Sequence, residues 1–121
     1  MNSPNYLSLK FVNKELLLSW QPPFNIKGGP QDVSSYIVFA SPVFLSGGDT
    51  CFWQKLDEVQ GTIYCVPKNY WNTSSPHVIG VVAVNGLQQS AMAKVKLPFH
   101  GDDRLCQVKD SFQCHGIFYF N

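Results

Sequence analysis

Charge is scarce in this sequence. Asp, Glu, Lys and Arg supply 14% of its 121 residues, against roughly a quarter in soluble domains, so more of the surface than usual must be apolar or neutral. The nine basic residues are scattered from Lys10 to Lys109 and the net charge is +1. No basic run exists to track a phosphate backbone, which excludes nucleic acid as a partner. No apolar stretch approaches the roughly 20 residues that span a bilayer, so direct membrane insertion is not expected. The start, Met1 to Tyr6, has no basic region followed by an apolar one, so no signal peptide is expected in this sequence. Met1 is read as an added start or as what remains of a trimmed precursor.

Helical periodicity is missing too, because Pro or Gly interrupts nearly every window long enough for a packed helix. A glycine-rich loop that cradles phosphate at a helix N-terminus is therefore not expected. Catalysis needs a nucleophile, a base and a group to orient the base. The histidines are His77, His100 and His115, and Asp57-Glu58 occupies adjacent strand positions whose side chains point to opposite faces. The chain is thus read as not an enzyme, with no cofactor.

What the sequence does contain is a set of short strand signals. Leu7, Leu9 and Phe11 alternate with Ser8 and Lys10; Asn13-Lys14 turns the chain; Leu16, Leu18 and Trp20 alternate in a second strand that Pro22-Pro23 ends. After a loop holding Gly28-Gly29-Pro30, strands are predicted over 35–40, 51–59, 62–66, 77–84 and 91–97, the last two joined by a turn at Asn85-Gly86. Seven short strands in about 100 residues predict an all-β sandwich. One domain of this length has room for a real core, since it buries roughly two-thirds of its unfolded surface.

Four cysteines, Cys51, Cys65, Cys106 and Cys114, form an even set in a small chain, which favours two disulfides and an oxidising, extracellular compartment. Sequence alone leaves three connectivities open. The sequon Asn72-Thr73-Ser74 makes Asn72 a glycosylation candidate in the same compartment. His100, Asp102, Asp103, Cys106, Cys114 and His115 contain zinc-ligand chemistry, but seven residues between the cysteines is wider than a zinc knuckle. A disulfide-closed hairpin is preferred there and no metal site is assigned.

Three motifs in order resemble the fibronectin type III family: Leu18-Ser19-Trp20-Gln21-Pro22-Pro23, with a core Trp before a Pro-rich loop; Ser35-Tyr36-Ile37-Val38; and Val81-Val82-Ala83-Val84-Asn85 followed by Gly86 and Ser90. The likeness covers roughly residues 5 to 98. It implies a seven-stranded sandwich with a disulfide-closed C-terminal extension, divided as a module over 1–98 and a cysteine-containing extension over 99–121 that packs on the sandwich or leads to a next module. Two positions depart from the family: His77 stands where a corner Tyr is usual and Trp71 where a Leu plugs the core, so the corner is expected to persist with altered chemistry. The spacing of Cys51 and Cys65 resembles a disulfide of cytokine-receptor modules, although those receptors' WSxWS motif and first disulfide are absent. Expected bonds are Cys51–Cys65 and Cys106–Cys114, each joining residues on either side of a turn.

In this fold the third and sixth strands share a sheet. Tyr36, Val38, Ala40, His77, Ile79, Val81 and Ala83 would point inward; Ile37, Phe39, Val78, Gly80, Val82 and Val84 would point outward. None of the outward set is polar, so something must cover it. The cover is expected to be the tail, with Ile117, Phe118 and Phe120 over Ile37, Phe39 and Val82; the rival is a partner protein. Loops are the other recognition surface, and Phe24, Ile26, Lys27, Asn85 and Leu87 fall on two connections that lie at one end. No Arg-Gly-Asp is present, so the integrin reading of the last turn has no support. The function expected is an extracellular protein-binding module of a receptor, adhesion protein or secreted binder; the alternative is a small self-contained secreted inhibitor or ligand.

Overall fold

The computed structural model describes residues 1–25, 29, 31–42, 50–72, 76–97 and 116–120, with Thr50, Cys51 and the last five known by backbone alone. Its strands form two sheets. The first has the order β1 (Asn5–Val12), β2 (Glu15–Gln21), β5 (Ile63–Cys65). The second runs β7 (Gln88–Gln89), β6 (His77–Asn85), β3 (Ser35–Pro42), β4 (Thr50–Val59), β9 (Gly116–Phe120), and β8 (Ala93–Leu97) also pairs with β6.

The β1–β2 hairpin turns at Asn13 and Lys14, both with positive φ, 50° and 65°. That pair of left-handed residues is what a two-residue type I′ turn demands, because its twist matches that of the strands it joins. The turn fixes the register, pairing Val12 with Glu15 and Leu9 with Leu18. In consequence Leu16, Leu18 and Trp20 all face inward, buried to 2% exposure or less. Across from them Tyr36, Val38, Ala40, Ile79, Val81, Ala83, Val95 and Leu97 complete the core between the sheets. Trp20 meets Tyr36 edge-on at 5.3 Å between ring centres, an arrangement that aligns the positive edge of one ring with the negative face of the other.

A second apolar cluster lies on the opposite face of the larger sheet. Ile37, Phe39, Val78 and Val82 alternate with the core residues, as their sequence positions require, and Trp53 of β4 joins them with no exposure. Trp53 reaches this face because β4 carries a bulge. Val38 pairs with Asp57 and Phe39 with Lys55, so one extra residue, Leu56, is accommodated and the strand's parity changes there. Leu56 packs against the inner core while Trp53 packs edge-on to Phe39, 6.5 Å away.

One short helix, α1 (Lys68–Trp71), precedes β6. Four residues produce no periodicity, so this single turn leaves no trace in the sequence pattern, and the all-β architecture stands around it. The helix sets Trp71 against the core, edge-on to Phe11 at 5.2 Å, with its Nε1 donating to the Val66 carbonyl at 3.1 Å. A side-chain bond to upstream backbone thus exists at the corner, made by Trp71. His77 stacks edge-on with Tyr70 at 5.4 Å.

The tail enters the sheet itself. β9 pairs with β4 in parallel, Thr50 beside Gly116 through to Gln54 beside Phe120. Its backbone is thus bonded along the β4 edge and does not cross the face that holds Ile37, Phe39 and Val82. Met92, which leads into β8, covers part of that face by packing against Gly80.

Candidate protein-binding surface

The strand directions gather three connections at one end of the sandwich: residues 22–34, 60–62 and 85–88. Tyr36 pairs with Val59 and Ser35 with Val84, so the start of β3, the end of β4 and the end of β6 coincide. Backbone and side-chain bonds hold the first of these connections. Gln31 N–H donates to Pro23 O and Asn25 N–H to Gly29 O, each at 2.7 Å, while Gly29 N–H returns a bond to Asn25 Oδ1 at 3.0 Å. Asn2 Nδ2 donates to Phe24 O at 2.9 Å. Both the N–H and the hydroxyl of Ser34 donate to Val84 O at 2.8 Å, tying this connection to the end of β6.

The connection after β6 is a two-residue turn in which Asn85 pairs with Gln88. Gly86 has φ 62° at the first central position, where a type II′ hairpin calls for glycine. Leu87 then stands at the tip, as exposed as in an open chain (105%). Below it, the Ser90 hydroxyl accepts from Ala83 N–H at 2.8 Å and donates to Ala91 O at 2.7 Å, which anchors the returning strand. Phe24 is 41% exposed on the neighbouring connection. Two apolar side chains therefore project from a hydrogen-bonded scaffold.

Of the expected partner-binding residues, Phe24, Asn85 and Leu87 are exposed at this end. Ile26 and Lys27 lie outside the described residues. Ile37, Phe39 and Val82 are corrected: at 9%, 2% and 4% exposure they are buried in the second apolar cluster and present no surface to a partner. Alternation with a fully apolar outer set is the signature of a covered face as much as of a binding face, and here it is covered.

The expected Cys51–Cys65 bond is corrected too, because Cys65 is a free, exposed thiol. The two cysteines belong to different sheets. Cys51 is eight residues back from Val59 along β4, ~26 Å, whereas Cys65 is four residues past Gly61, ~13 Å, at ~3.3 Å per residue, and a disulfide needs α-carbons within about 7 Å. Sequence proximity on either side of a turn does not help when the two arms are so unequal. Partial desolvation where the chain packs around it, reinforced by the negative charge and hydrogen bond of Glu15, holds the Cys65 thiol above its ordinary pKa although the residue is exposed. Cys106 and Cys114 lie outside the described residues, as do His100, Asp102, Asp103 and His115 of the weighed zinc set. Asn72 is exposed at the end of α1.

Acid–base chemistry finds no constellation among the described residues. Asp57 Oδ1 accepts from the Glu58 N–H at 2.8 Å, and Glu58 is engaged by Ser35 Oγ at 2.7 Å and Lys55 Nζ at 3.3 Å. The Ser35 bond, followed by Lys55, holds the Glu58 carboxyl below the usual carboxylate range. A cleft of about 400 Å³ at the opposite end is lined by Ala40, Pro42, Phe52, Gln54, Tyr70 and His77, in which a histidine and a tyrosine are stacked with no Ser, Thr or Cys among the described lining residues. No group of three or more metal-ligating side chains and no helix long and apolar enough to cross a membrane occurs among the described residues.

No protein-family model matches the chain, and no curated protein matches it by sequence. Its structure is similar to a titin kinase with its flanking domains (17% identity, TM-score 0.55, covering 75% of this chain and 15% of that one). It is similar also to the chicken interferon gamma receptor alpha chain (20% identity, TM-score 0.55, covering 78% and 43%) and to the third fibronectin type III domain of a human protein, KIAA0343 (18% identity, TM-score 0.55, covering 80% of each). The chain thus spans less than half of the first two and most of the third. With three-stranded and larger sheets in this order, a core Trp on β2 and these structural neighbours, the chain has the fibronectin type III fold, here with a parallel ninth strand added at the β4 edge.

Proposed function

We propose that the chain is an extracellular protein-binding module, without catalysis, that engages its partner through the end of the sandwich carrying Phe24 and Leu87. The observation that carries this reading is Leu87, a fully exposed leucine at the tip of a glycine turn, at the same end of the sandwich as a second exposed apolar ring, Phe24. A lone exposed apolar residue needs no explanation, but two on one end of a rigid sandwich form the kind of anchor that protein interfaces bury at their centre. Likeness to a receptor chain and to fibronectin type III modules supports a binding role. The exposed Asn72 of a sequon supports the extracellular assignment, and we assign it an N-linked glycan. We further assign residues 1–98 to the module and 99–121 to an extension closed by a Cys106–Cys114 bond.

The experiment compares the chain with a Phe24→Asp, Leu87→Asp variant, each immobilised and exposed to native extracellular fluid, with mass spectrometry of what is retained. A protein retained by the parent and lost by a variant of equal melting temperature supports the reading. Identical retention by both overturns it.

A further inference from the structure

Each sheet edge in a soluble protein is an open row of N–H and C=O groups, and folded chains blunt such edges with charge, irregularity or brevity. Three of the described edges are blunted in this way. β1 has a register shift between Asn5 and Ser8 and carries Lys10; β5 is three residues long; on the β6 side, β7 has two residues and β8 carries Lys94 and Lys96. The fourth edge is β9, whose sequence Gly116-Ile117-Phe118-Tyr119-Phe120 has no charge and no proline, and whose register along β4 is unbroken. Among the described residues β9 has a strand neighbour on one side only.

We propose that this edge pairs with the β9 edge of a second copy, antiparallel about a two-fold axis centred on Phe118. Identical strands run antiparallel are self-complementary, which sets Gly116 opposite the second copy's Phe120 and Ile117 opposite its Tyr119. Neither strand places a charge against its mate, and a net charge of +1 puts little long-range repulsion between copies. A strand of five residues buries less than the ~1,200 Å² of a stable interface, so the association is weak and depends on concentration. It is separate from the Phe24–Leu87 end and does not rest on the binding role assigned there.

The test uses the full chain over a concentration series, followed by sedimentation velocity and by amide hydrogen exchange read by mass spectrometry. The expected result is an apparent mass that doubles as concentration rises, with exchange in residues 116–120 slowing in step while β1 and β8 exchange at constant rates. A Tyr119→Lys variant, which sets a charge on the edge, stays at the mass of one chain throughout. A parent chain that remains monomeric, or that dimerises with exchange at 116–120 unaltered, overturns the proposal whether or not the variant folds.

Discussion

Met92 occupies the space that a side chain on residue 80 would need. A β-carbon built on Gly80 would meet the Met92 sulfur and stand 2.7 Å from its Cγ, so the glycine is what lets the thioether lie flat on the outer face of β6. Gly80→Ala must shift Met92 from its Cγ outward, and because that thioether is flexible the change should destabilise the protein by about 1 kcal/mol, the low end of the cost of overpacking. Adding Met92→Ala removes the clash, so denaturant titration of the double variant should show a smaller loss than the two single losses added together. Strict additivity would mean that the two residues do not compete for this space.

The bond from Trp71 to the Val66 carbonyl offers a second check. Trp71→Phe keeps an aromatic ring near Phe11 but removes the donor. Leaving a partly buried acceptor unpaired costs about 1–2 kcal/mol. Chemical denaturation should register that loss; an unchanged midpoint would show that water replaces the indole.

Lys14 holds φ 65° in the β1–β2 turn. A residue with a β-carbon pays about 1–2 kcal/mol there, while glycine forfeits about 0.5–1 kcal/mol in unfolded-chain entropy, so Lys14→Gly should stabilise by roughly 0.5–1 kcal/mol. Lys14→Ala, which keeps the β-carbon, should give no such gain. Thermal melts of the two variants distinguish relief of backbone strain from loss of the lysine charge.

Cys65 should take up a thiol reagent in the native state, as mapped by mass spectrometry of the peptide that contains it. Its rate at neutral pH should fall below that of an unstructured cysteine, because partial desolvation and then Glu15 keep the thiolate scarce. Glu15→Gln should raise the rate. Labelling that appears only after reduction would restore a disulfide at this position.

Glu58 titrates low because Ser35 and Lys55 engage its ionised form. A carboxylate with a lowered folded pKa contributes stability above its unfolded pKa, and that contribution is lost as pH falls through the folded value. Ser35→Ala should move the Glu58 titration upward, toward its unfolded value, as followed by NMR, so that less stability is lost on acidification through this group. An unmoved titration would remove Ser35 as the main cause.

Much of this molecule was legible in its residue order. The alternation of Tyr36, Val38 and Val81 with Ile37, Phe39 and Val82 assigned both faces of the central strands, and the strands from β1 to β6 lie close to where β-forming residues and turn signals place them. Trp53 escaped that logic, since a single extra residue at Leu56 changes which face the first half of β4 presents, and bulges leave no periodic trace. α1 escaped because one turn is too short to be periodic. At the candidate surface, Phe24 and Leu87 were accessible to reasoning from turn chemistry, whereas the state of Cys65 depends on how far two strand arms run from a shared turn. The β4–β9 pairing is longer-range still, and nothing local in Gly116–Phe120 specifies which edge it joins or in which direction.

That pairing also sets an order of events. Thr50 waits for Gly116, a separation of 66 positions (116 − 50), so the loop it closes is among the slowest contacts the fold must make. During synthesis the sandwich from β1 to β8 can form while the β4 edge still lacks its neighbour, and only the emergence of residue 120 supplies it. Until then the nascent chain carries a bare edge on its larger sheet, and the interval between those two moments is when a ribosome-bound neighbour has its best opportunity to pair there.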